Sequence, residues 1–248
     1  MNSSDSFKSI AVIPVYNETG RILKVLNKFK DNVVDEICII ADCTSKEDLD
    51  RIRKKLKKFT TPVHLISNDV RMGIGYAIRK GINYGIEQGH DIVVVMAGNN
   101  KDDPNEIPRL LEPIANNGVD YVQGSRFMNG GNHKRNPLLR GIFSKVYPFI
   151  WTLFTRSQCS DVTNGFRAYK LDLFKDPRIN IKQRWLNGYG LEYYIHYKAL
   201  TLGYKTTEVP ITKTYPMRSE GKYTKISPLQ DWWDIVGPLI YLRLGVRQ

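Results

Sequence analysis

The sequence predicts an α/β protein in which helices flank a mostly parallel central sheet. Two observations lead to this fold class. Short runs that are almost continuously apolar, as buried parallel strands are, alternate along the first half with segments that repeat apolar residues at helical spacing. A chain of 248 residues with 42% hydrophobic residues is also sufficient for one main core.

Five strands are predicted in the first half, at residues 10–14, 36–41, 63–66, 92–96 and 121–123. The helices between the first four strands each present one apolar face, which we expect to be core. The residues of these faces are Ile22, Leu26 and Phe29, then Leu49, Ile52 and Leu56, then Ile74, Ile78 and Ile82.

The pattern changes after about residue 125. Residues 126–136 are rich in Gly, Asn and basic side chains and predict a mobile loop of the kind that often binds ligands. We then expect an apolar helix over 137–154, a helix near 191–202, a strand near 205–209 and a closing segment over 227–245. The apolar helix is interrupted by Arg140 and Lys145, which argues against a membrane span.

Composition restricts the partners and the compartment. Lys and Arg outnumber Asp and Glu by 37 to 25, and the net charge of +12 favours anionic partners such as nucleotides or anionic lipid. Nucleic acid is not expected, because no segment interleaves basic and aromatic residues as a recognition surface. The amino-terminal residues lack a signal-peptide pattern, so we expect a cytoplasmic protein.

The loop after the first predicted strand lies where α/β sheets bind ligands. We expect it to hold a base ring, a ribose or a phosphate, and Asn17 is also placed to cap the next helix. Taken alone, the segment is no more than a strand-to-helix turn. Its candidate residues are Pro14, Tyr16, Asn17 and Glu18.

Asp42 follows the second strand and can accept hydrogen bonds from a base or a ribose. The alternative is that Asp42 and Ser45 only cap the following helix. After the third strand, Arg71 and Gly73 open a helix whose backbone amides suit a diphosphate. After the fourth strand comes a polar cluster that predicts a metal or diphosphate site, with a solvated turn as the alternative: Asn99, Asn100, Lys101, Asp102 and Asp103.

These four segments, in this order, resemble the family 2 glycosyltransferases of GT-A fold, in which the start is similar to V-I-P-x-Y-N-E and the second strand to V-D-D-x-S. The corresponding segments here are AVIPVYNE and ADCTS. Later motifs look most like dolichyl-phosphate-mannose synthases and their polyprenyl-phosphate relatives: GSRF at 124–127, the run 140–145 and DVTNGFRAY at 161–169. The resemblance spans nearly the whole chain.

The resemblance implies an inverting enzyme that moves a sugar from a UDP- or GDP-sugar to a dolichyl or undecaprenyl phosphate. It would work as a peripheral protein on the cytoplasmic face of the membrane. One GT-A domain over residues 1–225 would comprise a nucleotide-sugar half, 1–123, and an acceptor half, 124–225. Two alternatives stay open: transfer to a sugar hydroxyl in cell-surface polysaccharide or glycan assembly, and a catalytically silent nucleotide-sugar-binding protein.

The family carries an acidic D-x-D after the fourth strand, which holds Mg²⁺ or Mn²⁺ against the diphosphate. Here that triplet is Ala97-Gly98-Asn99, and only Asn99, also a donor-binding candidate, offers a side-chain oxygen. We favour a metal-independent site in which Lys101 supplies a fixed ammonium at the place of the metal. Asn99, Asp102 and Asp103 remain weaker metal candidates.

On the acceptor side, the resemblance and the basic residues of the carboxy-terminal half suggest contacts to the lipid phosphate, although a solvated surface charge is the alternative for each cation. The segment 218–225 matches the family's basic motif only in part. The candidates are Ser125, Arg126, Arg140, Arg167, Arg218, Lys222 and Lys225.

A phosphate acceptor is already anionic and needs positioning, whereas a sugar hydroxyl needs a general base. For that role Glu192 is the first candidate and Asp161 the second, although Asp161 can equally serve as a structural hydrogen-bond partner of the loop. Residues 226–248 predict an amphipathic interfacial helix because they combine Trp232 and Trp233 with apolar and basic residues. Packing of this helix on the protein's own surface is the alternative.

Overall fold

The computed structural model describes residues 7–135, 138–216 and 230–247, and for residues 138–142, 230–232 and 234 it describes the backbone alone. The elements of the first half alternate strand and helix. They are β1 (Ser9–Val15), α1 (Thr19–Lys28), β2 (Glu36–Asp42), α2 (Lys46–Leu56), β3 (Val63–Asn68), α3 (Ile74–Glu87), β4 (Ile92–Val95), α4 (Ile107–Asn117) and β5 (Tyr121–Ser125).

The second half has shorter strands and three helices. Its elements are β6 (Asn132–Lys134), α5 (Leu138–Thr155), β7 (Arg167–Lys170), α6 (Gly190–Thr201), β8 (Thr206–Pro210), β9 (Thr212–Thr214) and α7 (Gln230–Arg243). Short 3-10 helices cover Pro104–Glu106, Leu171–Lys175 and Arg184–Asn187.

The central sheet has seven strands in the order β3-β2-β1-β4-β7-β5-β8. All its pairs are parallel except those of β7, which runs antiparallel to both β4 and β5. The predicted α/β class and mostly parallel sheet are therefore confirmed. Each of the five strands predicted in the first half begins and ends within two residues of its predicted first and last residues.

Helices cover both faces of the sheet and create a core on each side. Along β1, Ile10 and Val12 face one core while Ala11 and Ile13 face the other, as the period of a strand requires. The predicted helix faces are confirmed as core: six of their nine residues are buried, and Phe29, Leu56 and Ile74 are partly buried against the same clusters.

The prediction of an irregular loop over 126–136 is wrong in part. Asn132–Lys134 forms β6, which pairs with β9 in a separate two-stranded ladder. The ladder is fixed at both ends, because Asn132 N donates to Ile211 O at 3.0 Å and Tyr215 N donates to Lys134 O at 3.0 Å. All three residues of β6 are exposed, so the strand has no apolar face that its sequence might have revealed.

Helices α5, α6 and α7 pack on one another beside the sheet. Tyr147 and Trp151 of α5 are fully buried, and the Tyr147 hydroxyl donates to Ile235 O of α7 at 2.8 Å. The face of α7 that carries Ile235 and Leu239 is buried in this core. Among the helices of the described ranges, none is long and apolar enough to span a bilayer.

Candidate functional site

The loops after β1, β2 and β3 meet at one edge of the sheet, where the sequence predicts nucleotide binding. The guanidinium carbon of Arg71 lies 4.6 Å from the centre of the Tyr16 ring, in cation–π contact. Both side chains retain some exposure to solvent. The structure thus brings two of the predicted donor residues together on an accessible part of the sheet edge.

Asp42 fixes the loop that carries Arg71. Its buried carboxylate accepts hydrogen bonds from Met72 N at 2.9 Å and from Gly73 N at 2.9 Å. Both amides therefore already donate to Asp42. This geometry does not favour the predicted binding of a diphosphate by the amides of this helix start. Ser45, in contrast, caps α2 as expected, because its hydroxyl accepts from Asp48 N at 3.2 Å.

Gly73 is required by its surroundings. Its φ is +100°, and a Cβ there would lie 2.5 Å from the carbonyl oxygen of Asn187. The same 3-10 segment, Arg184–Asn187, approaches Gly75, where a Cβ would lie only 2.0 Å from Leu186 O. The start of α3 is thus held between Asp42 on one side and this segment on the other.

The loop after β1 differs from its prediction at Asn17. Helix α1 begins at Thr19 with Glu18 in the capping position, and Asn17 has a left-handed φ of 46°, whereas a cap residue usually lies in the β region. The prediction that Asn17 caps the helix is therefore wrong. Glu18 pairs with Arg21 at 3.1 Å, and Pro14 is buried, with its carbonyl accepting from Gly98 N at 3.3 Å.

The loop after β4 folds back toward β9. Lys101 N donates to the Asn99 side-chain oxygen at 3.2 Å, and Lys101 O accepts from Thr214 N at 2.8 Å. The Lys101 side chain is buried, and its ammonium lies 5.4 Å from the centre of the Tyr215 ring. Both main-chain polar groups of Lys101 are therefore held, and its ammonium lies against an aromatic ring.

Each of the two carboxylates in this loop has one oxygen in an internal hydrogen bond, and Asp102 Oδ2 is buried without a donor among the described residues. Asp102 Oδ1 accepts from Lys213 Nζ at 2.7 Å, and Asp103 caps the following 3-10 helix by accepting from Asn105 N at 3.0 Å. In the described parts of the chain, no three His, Cys, Asp or Glu side chains are grouped so as to hold a metal ion. With Ala97 in the triplet, the residues present do not fit the divalent metal of the resembling family.

A fully buried ion pair joins the second half of the chain to the same region. Arg126 Nε donates to Asp161 Oδ2 at 2.6 Å and Arg126 Nη2 donates to Asp161 Oδ1 at 2.6 Å. Arg126 Nη1 also donates to the Tyr215 hydroxyl at 2.6 Å. The bidentate pair supports the structural alternative for Asp161, because a general base needs a carboxylate that the substrate can reach.

Arg167 is also an internal residue. Its nitrogens donate to three backbone carbonyls, those of Asn164 at 2.7 Å, Glu192 at 2.8 Å and Val162 at 2.8 Å. Ser125 is fully buried, with its hydroxyl 2.5 Å from that of Ser160. The structure thus groups Ser125, Arg126 and Arg167 beneath the surface, and their predicted contact with an acceptor phosphate stays a prediction. Arg218, Lys222, Lys225 and the side chain of Arg140 lie outside what the structure describes.

Glu192 lies in the first turn of α6, with Oε1 3.6 Å from Arg167 Nε. Among the described residues, no hydrogen-bond donor reaches this oxygen. Gly165 makes room for it, since a Cβ there would lie 3.1 Å from Oε1. Burial raises the pKa of the Glu192 carboxyl, and the charges of Arg167 and Lys213 oppose that rise. A raised pKa suits a general acid or base.

Three residues of the site are absent from the sequence predictions: Asn164, Lys213 and Tyr215. Lys213 Nζ donates to Asn164 Oδ1 at 2.9 Å as well as to Asp102. No local pattern distinguishes Lys213 in the sequence, because a lysine between Thr212 and Thr214 is typical of an exposed strand, whereas in the structure Lys213 and Tyr215 are buried.

Exposed apolar side chains gather on the two segments that the sequence linked to the membrane, α5 and residues 230–247. Val146, Phe149 and Leu153 follow one face of α5 and are 51%, 75% and 70% exposed. Of the nine large hydrophobic side chains found exposed in the described ranges, six belong to α5 or to residues 230–247. Such a concentration marks an interaction surface.

Comparison with known proteins gives three results. The model of the family described as glycosyl transferase family 2 matches residues 10–176. An undecaprenyl-phosphate mannosyltransferase of Micrococcus luteus is 28% identical over 203 residues, which cover 82% of each chain. A polyprenol monophosphomannose synthase of Mycolicibacterium smegmatis is 24% identical over 208 residues, or 84% of this chain and 77% of the relative.

Among solved structures, a glucosyl-3-phosphoglycerate synthase from Mycobacterium tuberculosis, crystallised with Mn²⁺, UDP and its product, superimposes with a TM-score of 0.67. The superposition covers 98% of this chain and 82% of the other, at 17% sequence identity. At that identity the likeness shows a shared GT-A fold.

Proposed function

We propose that this chain, a glycosyltransferase that belongs to glycosyl transferase family 2, moves a sugar from a nucleotide-diphosphate sugar to a polyprenyl phosphate at a membrane surface. The observation that carries the proposal is the similarity to an undecaprenyl-phosphate mannosyltransferase along four-fifths of both chains. A single displacement with inversion accompanies this reaction, because an anionic phosphate can attack the anomeric carbon directly once it is positioned.

The sheet edge formed by Tyr16, Asp42 and Arg71 supports a nucleotide site. The stacked pair of Tyr16 and Arg71 offers an aromatic face and an exposed cation, and the bonds from Asp42 to Met72 N and Gly73 N hold their loop in place. A cation on the end of a rigid loop suits a diphosphate or the base attached to it.

For the departure of the nucleotide diphosphate we assign Lys101 the role of a fixed cation. The residues after β4 do not fit a divalent metal, whereas the Lys101 ammonium is held in a buried position near Tyr215. A preorganised positive charge stabilises the charge that develops on a leaving group. Asp42 and Asp103 serve their loops rather than a metal in this account.

The exposed apolar side chains of α5 and of residues 230–247 support a lipid-linked acceptor. Phe149 and Leu153 would enter the membrane interface and keep the protein where a polyprenyl chain is dissolved. We assign the cytoplasmic face, since a charged nucleotide sugar made in the cytoplasm cannot cross an apolar bilayer unaided.

The proposal is tested with purified protein, undecaprenyl phosphate in vesicles, and radiolabelled UDP- and GDP-sugars offered one at a time. We expect a labelled lipid product from at least one donor. Heat-treated protein and vesicles without the lipid phosphate serve as controls. Labelling of an oligosaccharide but never of the lipid phosphate would overturn the proposed acceptor.

One observation favours a second candidate, transfer to a sugar hydroxyl. Glu192 has a raised pKa, and its side chain keeps 14% exposure where that of Asp161 is 0% exposed, so a substrate hydroxyl can approach Glu192. The variant Glu192→Gln separates the two functions. It abolishes transfer to a hydroxyl, which needs proton removal, and leaves transfer to a phosphate within about tenfold of the wild type.

A further inference from the structure

A buried lysine that the proposed function does not use lies beside the loop after β4. Lys213 Nζ is 2.7 Å from Asp102 Oδ1 and 2.9 Å from Asn164 Oδ1. The Asp102 side chain is 0% exposed and the Lys213 side chain 7%. An ammonium is thus enclosed by a carboxylate and an amide oxygen, the ligand types that hard divalent cations also take.

The pair joins two segments that are distant in sequence. Asp102 and Lys213 also form an isolated β-bridge, and Thr214 N donates to Lys101 O at 2.8 Å on the same bridge. Lys101, between Asn99 and Asp102, is therefore held from both sides. Its ammonium lies over the ring of Tyr215, two residues after Lys213.

The energetics of a buried pair make this arrangement sensitive to either partner. A charge left alone in the interior is strongly unfavourable, so loss of Lys213 would drive Asp102 toward solvent. Asp102 directly follows Lys101, and its movement would carry Lys101 away from Tyr215. The position of the Lys101 charge therefore depends on a side chain that lies on a different strand.

We propose that Lys213 is a positioning residue whose ammonium organises the loop after β4 through Asp102, and so holds Lys101 against the donor diphosphate. The inference rests on the proposed function for the role of Lys101. It adds a second lysine, which acts through Asp102 and does not touch the substrate.

The experiment is a double-mutant cycle on nucleotide affinity, measured by calorimetric titration of UDP and GDP in the presence of EDTA. The variants are Lys101→Ala, Lys213→Met and the two combined. We expect each single change to weaken the affinity about tenfold or more, and the combined change to weaken it no further than the worse single change, because both remove one function. Lys205→Met, an exposed lysine before β8, is the matched control and keeps wild-type affinity.

A second variant tests whether the loss of nucleotide affinity is caused by unfolding. Asp102→Leu combined with Lys213→Met removes both charges and leaves no unpaired ion in the core. We expect this variant to melt cooperatively and still to bind nucleotide about tenfold more weakly than the wild type, since Lys101 loses its anchor. Wild-type affinity in this variant, or independent effects in the cycle, would overturn the inference.

The outcomes for the two proposals are separable, because nucleotide binding requires no acceptor. Coupling between Lys101 and Lys213 without transfer to a lipid phosphate would support the inference and overturn the proposed acceptor. A wild-type protein that binds neither nucleotide would overturn both.

Discussion

Among single residues, most buried charged side chains of the site are paired with each other. Arg126 and Asp161 satisfy each other in a bidentate pair, and Lys213 is matched by Asp102. Two carboxylates nevertheless keep a buried oxygen that no donor reaches in the described residues. They are Asp102, at Oδ2, and Glu192, whose Oε1 lies 3.6 Å from Arg167 Nε. Such an incompletely satisfied group is costly for folding and is typical of functional sites.

The first prediction follows from the raised pKa of Glu192. Burial raises that pKa in the folded protein, so the folded state binds a proton that the unfolded state releases, and stability falls as pH rises from the unfolded pKa through the folded one. Glu192→Gln is neutral at every pH. We expect it to melt at a higher temperature than the wild type at pH 7 and at nearly the same temperature near pH 4, as measured by circular dichroism.

Replacing the exposed Glu87 by Gln is the control for this experiment and should leave the pH dependence of melting unchanged. A Glu192→Gln protein that is less stable than the wild type at pH 7 would contradict the account, since it would mean that the ionised carboxylate is well satisfied.

Among the elements, close packing at the start of α3 joins the loop after β3 to the 3-10 helix Arg184–Asn187. Gly75 is the second residue of α3, and the Arg184–Asn187 segment leaves no space for a side chain there. Gly20 is the second residue of α1, and a Cβ at Gly20 would meet nothing within 4 Å. The two glycines therefore share a helical position and differ in their surroundings.

Gly75→Ala is expected to lower the free energy of unfolding by about 1–3 kcal/mol, because the added methyl group must push aside the backbone at Leu186. Nucleotide affinity should fall with it, since Gly73 and Arg71 directly precede this turn. Gly20→Ala should be neutral or stabilise the protein by up to about 1 kcal/mol. Denaturant unfolding and calorimetric titration measure both effects, and equal stability changes for the two variants would contradict the predicted contact.

The next prediction concerns membrane binding by the exposed apolar side chains of α5. Burying a large apolar side chain contributes about 1.5–3 kcal/mol, so Phe149→Ser with Leu153→Ser should weaken binding to vesicles at least about tenfold. Co-sedimentation with phosphatidylglycerol vesicles measures this effect. Phe7→Ser, which alters an exposed aromatic residue before β1, is the control and should leave vesicle binding unchanged. Unchanged binding of the double variant would exclude α5 from the membrane contact.

At the scale of the whole molecule, the first half of the chain could be predicted well because its parallel strands are nearly continuous apolar runs. The strand β7 could not, because it is only four residues long and begins with Arg167, whose buried guanidinium is satisfied by backbone carbonyls that the sequence does not reveal. Burial of an arginine depends on such tertiary partners and not on a local pattern.

The same reason limits prediction of the site. Tyr16, Asp42 and Arg71 could be placed together because the ends of parallel strands share one edge of the sheet. Lys213 was missed, because a lysine between two threonines is typical of an exposed strand and its partner Asp102 is 111 residues away in the chain. Asp161 and Arg126 are both candidates from the sequence, but their pairing with each other emerged from the structure alone.

In the proposed mechanism, this family 2 glycosyltransferase site works with internal cations in place of a metal. The most direct measurement is the initial rate at which labelled sugar enters undecaprenyl phosphate, compared in excess EDTA and in Mn²⁺. We expect the rates in EDTA and in Mn²⁺ to agree within about twofold, because Lys101 is present with or without metal. A rate that vanishes in EDTA and returns with Mn²⁺ would contradict this mechanism.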